Sequence, residues 1–377
     1  MNLSYWEHTS WFTDIDFAII GSGIVGLSCA LELAELQPGA KIVVFEKGML
    51  PSGASTKNAG FACFGSMSEI VQDLKTHSQS EVVALITERL KGLSSLRATL
   101  TDHKIAYKQL GGYELFPESD PSNFDQCLQN LDAINALLYP IFKDNVFALV
   151  DTPFGFENVA PKAIFNKFEG QLDTGKMMTA LIKKATSKGI LIVNNALVKA
   201  ITQKELSLPS FSLGSLSVQA KNICIATNGF AAELLQEDVT PARAQVLITK
   251  PIKNLAIKGT FHLDCGYYYF RNIDDRILFG GGRNLDFKTE NTSQIGLTPI
   301  VQERLEQLLE NMILPQTPFE VDTRWSGTMG VGSKKTPIVK QIHPNVCCAV
   351  RLGGMGVAIG SNIGKELAIL SLNNARY

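Results

Sequence analysis

The chain has 377 residues, of which 45% are hydrophobic and 19% charged, and its net charge is −1. That length suits about two domains with sizeable cores, and the near-neutral balance argues against a nucleic-acid backbone as partner. Seven cysteines without a C-x-x-C pair read as reduced, buried thiols, and no early apolar run suits a signal peptide or a membrane span, so the expected location is the cytoplasm.

After a polar N-terminal stretch, DFAIIGSGIVGLSCALELAEL (16–36) predicts a buried parallel strand, a glycine turn and a helix. Gly21, Ser22, Gly23, Ile24, Val25 and Gly26 form a G-x-G-x-x-G. The first glycine permits the tight turn, the second lets a pyrophosphate approach the backbone, and the third lets helix and strand pack closely. The N–H groups at the helix start suit phosphate. KIVVF is a second strand, and Glu46 stands at its end, 20 residues beyond Gly26 (46 − 26). An acid at that distance can accept hydrogen bonds from a ribose. The block predicts an adenine dinucleotide, FAD or NAD, and the acid disfavours NADP. Lys47 follows, and then GASTKNAGFACFG (53–65), almost bare of bulk. There Ser55, Thr56, Lys57, Asn58, Ala59 and Gly60 would let the backbone run along an extended ligand, which suits a flavin.

Farther on, KQLGGYELFPE reads as a strand. GYYYFRNIDDRILFGGGR reads as a hairpin over NIDD, with Tyr267 and Tyr269 on one face and Tyr268 on the other. TPIVQERLEQLLENMIL is an amphipathic helix with Thr298 at the N-cap and Pro299 at the first position. FEVDTRW alternates like a strand. CCAVRLGGMGVAIGSNIGKELA repeats strand, glycine turn and helix, and that helix start would favour negative charge on a reduced flavin. The five histidines show no ligand spacing, so no metal site is expected.

These segments resemble the FAD-dependent D-amino-acid oxidase and glycine oxidase superfamily over nearly the whole chain, closest to its gamma-glutamylputrescine oxidoreductase-like branch. SYW precedes the glycine motif as in that branch, and GASTKNAGF stands where the branch has GAS-Arg-Asn-Gly-Gly, with Lys57 for the arginine. The resemblance implies an α/β fold: a Rossmann-like FAD-binding domain (1–105, 165–238 and 325–377) and a smaller α+β substrate domain with a mixed sheet (106–164 and 239–324). It implies FAD contacts at Val198, at Thr227, Asn228 and Gly229, at Gly327, and at Gly353, Gly354, Met355, Gly356 and Val357. Attachment would be noncovalent, because WSGTMGVGSKKTP holds no cysteine.

By the same resemblance, the enzyme oxidises the C–N bond of a small amine or amino acid by hydride transfer to flavin N5. Tyr269 matches a pocket tyrosine of sarcosine oxidase-like members. Glycine-oxidase-like members carry a substrate-binding arginine where this chain has Met329, which leaves Arg351 and Arg243 as candidates. Arg351 also stands beside the cofactor loop. Leu278 occupies the place of a lysine that serves dioxygen in sarcosine oxidase-like members, so the electron acceptor is dioxygen or another molecule. The alternatives are other chemistry on the same fold (C–O oxidation or trimming of a modified tRNA base) and a flavin-binding protein without turnover.

Overall fold

A computed structural model describes residues 3–202 and 208–374. Its first sheet runs Ile338–His343, Val346–Val350, Leu216–Ile225, Ile15–Ile20, Ile42–Phe45 and Leu191–Val193, with the last five parallel. Side chains alternate along residues 17–20. Phe17 and Ile19 join the core under the helices Ile24–Leu36, Thr174–Ser187 and Gly356–Asn374, while Ile15, Ala18 and Ile20 join the opposite layer. A strand buried on both faces needs this unbroken apolar run. The opposite layer is completed by the antiparallel strands Val198–Thr202 and Ser210–Leu213.

The second sheet has the order Val321–Val331, Thr240–Thr249, Arg276–Gly281, Tyr268–Ile273, Thr260–Leu263, Gly112–Glu114, Lys162–Asn166, Phe147–Asp151. All its pairs are antiparallel except Thr260–Leu263 with Gly112–Glu114. The expected hairpin is present, with Ile273 opposite Arg276 around Asp274 and Asp275. The helix Pro299–Leu308 covers one face through Val301, Leu305 and Leu308.

One boundary differs from expectation. The strand Val321–Val331 pairs with Thr240–Thr249 along its full length, so the chain leaves the second sheet after Val331 rather than at 325. Its small residues mark close approach, not departure. A Cβ on Gly327 would lie 2.6 Å from the Lys57 Cβ, and one on Gly330 would lie 2.6 Å from Asn228 Oδ1. The strand therefore runs along the loops of the first sheet and brings the two halves together. Among the described residues no helix is long and apolar enough to cross a membrane.

Candidate active site

The helix Ile24–Leu36 starts directly after the glycine turn, and its cap residue Gly23 offers no side chain. The Ile24 N–H donates to Ser55 Oγ at 3.0 Å, so the bare loop leans on the helix start. A Cβ on Gly26 would collide with the Gly21 carbonyl, and one on Gly23 would come within 2.9 Å of Ser55 Oγ. Glu46 is buried at the end of its strand. Its Oε2 accepts from the Ser22 N–H (3.1 Å) and hydroxyl (2.8 Å), and its Oε1 from the Gly48 N–H (3.0 Å) and the Ser52 hydroxyl (2.8 Å). This carboxylate ties the glycine turn to the loop after the second strand.

Two cavities flank Gly23. The smaller, about 90 Å³, is walled by Gly21, Glu46, Lys47, Ser55, Val198, Thr227 and Asn228. The Lys47 ammonium lies 3.0 Å from the centre of the Phe230 ring, and burial pulls its pKa down against the charges of Glu233 and Glu46. The larger cavity, about 380 Å³, starts at Gly23, Ile24, Val25 and Ser55. It passes Lys57, Asn58, Ala59 and Gly60 on one side and Gly327, Gly353, Gly354, Met355, Gly356 and Val357 on the other. It ends against His262 and Tyr269 of the second sheet and against Tyr267 and Arg283 in the turns beside it.

The loops are pinned from behind. Asn58 accepts from the Gly60 N–H (2.8 Å) and the Thr174 hydroxyl (2.9 Å), and the Trp325 indole donates to the Lys57 carbonyl (2.9 Å). The Leu352 N–H donates to Asn228 Oδ1 at 3.1 Å, joining the two glycine loops of the first sheet. Besides Arg351, four of the expected cofactor residues stand behind the walls instead of lining them. Ser22 is held by Glu46, Gly26 packs under Gly21, the Thr56 hydroxyl donates to the Pro51 carbonyl, and Gly229 lies against the Met329 carbonyl.

Tyr267 and Tyr269 both face the cavity, while Tyr268 points into the core. Burial pushes the Tyr269 phenol up to about 12, and its ring meets Phe61 edge-on at 5.6 Å. Leu278 sits with Ala59 and Val246 in an apolar cluster. His262 is buried, and its Nε2 is 2.6 Å from Glu169 Oε1, which also accepts from the Thr260 hydroxyl (2.7 Å). Burial disfavours the imidazolium, but the Glu169 charge and hydrogen bond outweigh it, with help from Glu69 and Glu114, and lift the pKa to about 9. Cys63 joins this pair, with one ligand-type atom of each residue within 4.8 Å of the others. Sequence spacing shows no such grouping, because residues 63, 169 and 262 meet only across the fold. The short Glu169–His262 contact makes it an ion pair beside a thiol.

Residues 16–370 match the family described as DAO, FAD dependent oxidoreductase. The chain belongs to this family of FAD-dependent oxidoreductases. It is 23% identical over 387 residues to gamma-glutamylputrescine oxidoreductase of Escherichia coli (strain K12), covering 96% of this chain and 84% of that protein. It is 21% identical over 375 residues to the probable oxidoreductase OrdL of Haemophilus influenzae, covering 94% and 82%. Its fold is similar to the crystal structure of glycine oxidase from Geobacillus kaustophilus, with a TM-score of 0.76, 19% identity, and 95% and 94% of the two chains covered.

The residues of this FAD-dependent oxidoreductase fit the cofactor. Gly23, the side-chain-free cap of the helix Ile24–Leu36, borders both cavities. The hydroxyls of Thr227 and Thr328, both in the wall of the smaller cavity, are buried without a hydrogen-bond partner among the described residues. Buried hydroxyls of this kind call for a ligand partner.

Two expected arginines lie elsewhere. Arg351 has φ +64°, and its guanidinium turns away from the cavity, donating to Asp238 Oδ2 (2.7 Å) and to the Thr336 carbonyl (3.0 Å). Its charge at the end of a buried strand is met by a protein carboxylate, so it needs neither substrate nor flavin. Arg243 makes a two-pronged pair with Glu290, at 2.8 and 3.0 Å, behind the second sheet. Its neighbours Ala244 and Val246 line the cavity instead. Met329 lines it as well. The arginine that does reach the wall is Arg283, which the sequence reading passed over. Its signal is the glycine run directly before it.

Proposed function

We propose that the enzyme oxidises the C–N bond of a primary or secondary amine or amino acid, and that its site comprises the residues walling the two cavities. One observation carries this reading. A single cavity runs from the dinucleotide cradle, past the 57–60 and 353–357 loops, to a wall of Tyr267 and Tyr269. A flavin laid along those loops would present one face to the tyrosines. FAD supplies the two-electron acceptor when bound.

The chain's own residues have three tasks. Tyr269, with Phe61, forms an apolar surface that excludes water and orients the carbon next to nitrogen. Lys57 and Arg283 bring positive charge to the cavity, which favours loss of the ammonium proton before the C–H bond breaks. The helix Gly356–Asn374 starts at the cavity and favours the negative charge gained on reduction. The substrate loses a hydride from carbon and a proton from nitrogen. The imine then takes up water and yields a carbonyl compound and the freed amine or ammonia.

FAD is held noncovalently in this reading. Burial raises the pKa of Cys63 and Cys265, the two cysteines in the wall, so both stay as poorly nucleophilic thiols. Acid precipitation should release the flavin into the supernatant, and colour retained in the pellet would exclude this mode. The function itself is tested by turnover of an amine panel with an artificial electron acceptor. Carbonyl product and released nitrogen should appear one for one. Turnover of hydroxy acids alone would overturn the proposal.

A further inference from the structure

Arg283 is a half-buried cation whose carboxylate neighbours are engaged. Its Nη1 is buried and has no hydrogen-bond partner among the described residues. The guanidinium lies 4.8 Å from the centre of the Phe287 ring, and burial lowers its pKa. Glu290, an acid close enough to influence it, is occupied. Oε2 takes Arg243 Nε, while Oε1 takes Arg243 Nη2, Gln245 Nε2 (2.9 Å) and the Thr298 hydroxyl (2.9 Å). The Thr298 side chain serves this network and makes no bond to its own helix start. Asp264 is taken by Asn284 Nδ2 (2.9 Å), and Asp286 caps Thr289 (3.0 Å). Across the cavity Lys335 is paired with Asp73 (2.5 Å), and Glu69 holds the Ser66 N–H (3.0 Å) and is balanced by buried Arg89.

The backbone is built to put Arg283 there. Gly281 and Gly282 have φ of +128° and +77°, a left-handed turn in which a side chain would be strained. A Cβ on Gly281 would also strike the Tyr267 backbone. The turn swings Arg283 back beside Tyr267, at the rim where Tyr267 and Phe287 are 40% and 42% exposed. Tyr269, at the start of the strand that follows, is partly buried beside the 57–60 loop. A guanidinium N–H buried without a partner is costly, and a planar two-pronged anion is its best match.

We propose that Arg283 is the substrate's anion site: it binds a carboxylate at the cavity rim, outward from the reacting carbon beside Tyr269. This rests on the C–N oxidation reading and narrows it. The preferred substrate is an amine whose carboxylate is separated from the reacting carbon by a spacer, not an α-amino acid in which the two are adjacent. Met329 leaves the depth of the cavity without the charge that an adjacent carboxylate would need.

The test is equilibrium binding of unreactive probes to the FAD-loaded enzyme, followed by the flavin visible spectrum and by calorimetry. Butanoate should bind about 10- to 100-fold tighter than the isosteric butanamide. In Arg283→Leu that ratio should fall to near one, and Arg283→Lys should keep part of it. Flavin content and thermal midpoint report whether each variant folds. If Arg283→Leu does not fold, the wild-type ratio and the Arg283→Lys variant decide the matter. A wild-type ratio near one, a ratio that survives Arg283→Leu, or tighter binding of propylphosphonate than of butanoate would overturn the assignment. The probes do not react, so this outcome is independent of turnover. If no amine is oxidised, the C–N reading fails while the anion site stands. If amines are oxidised without regard to a carboxylate, the anion site fails alone.

Discussion

The cradle around Gly23 and the wall around Tyr269 border the same cavity but are built differently. The cradle is mainly backbone: a glycine turn, a helix start and small-residue loops, with one carboxylate, Glu46, holding several N–H and hydroxyl donors. The wall is made of charged and aromatic side chains whose partners come from distant parts of the chain. Arg243 could pair with Glu290 or reach the substrate, and Arg283 could do the same. Tertiary geometry gives Glu290 to Arg243 and leaves Arg283 free for a ligand. A site made of backbone is written in local sequence, whereas a site made of side-chain pairings depends on which competitor wins each partner.

The sharpest way to break this contrast is Arg243→Met. It strands Glu290 as a buried charge, and breaking such a pair costs about 3–5 kcal/mol. Denaturant unfolding should show that loss, and a raised KM with unchanged stability would return Arg243 to the substrate. The next effect concerns pH. Glu169 raises the His262 pKa from 6.5 to about 9, so the pair stabilises the fold fully below about 6.5 and loses that contribution as pH rises through about 9. The stability difference between wild type and His262→Gln should shrink by up to about 3 kcal/mol across that window. A difference that is constant with pH would mean that the imidazole is neutral throughout.

On the cradle side, Glu46→Ala should weaken FAD binding by about 1.5–3 kcal/mol, or roughly ten- to hundredfold, when the apoprotein is titrated with FAD. A less stable apoprotein with unchanged FAD affinity would make Glu46 a pin for the turn and nothing more. The smallest effect is expected at Arg351. Arg351→Met loses the guanidinium's bonds to Asp238 and to the Thr336 carbonyl and should lower stability less than the changes above, without changing KM. A KM effect with intact stability would put Arg351 back in the pocket.

The sequence made the strand–turn–helix of 16–36, the hairpin 268–281 and the paired tyrosines readable, because each depends on local period and glycine placement. The boundary at 331 was not readable. Small residues in WSGTMG look like a turn, yet they serve close packing of a continuing strand against Lys57 and Asn228. The three arginines were not readable either. All lie near glycines or strand ends, and only the engaged state of Asp238 and Glu290 separates them. The grouping of Cys63, Glu169 and His262 has no local sequence signal at all.

The central claim is that C–H bond breaking beside nitrogen, in the cavity between the cradle and the tyrosine wall, reduces the bound flavin. The direct measurement is anaerobic mixing of the FAD-loaded enzyme with an amine carrying a spaced carboxylate, deuterated or not at the carbon next to nitrogen. The account predicts bleaching of the flavin visible band, slower with the deuterated amine, and release of a carbonyl compound. A flavin that stays oxidised with every amine, but bleaches with the corresponding alcohols, would contradict it.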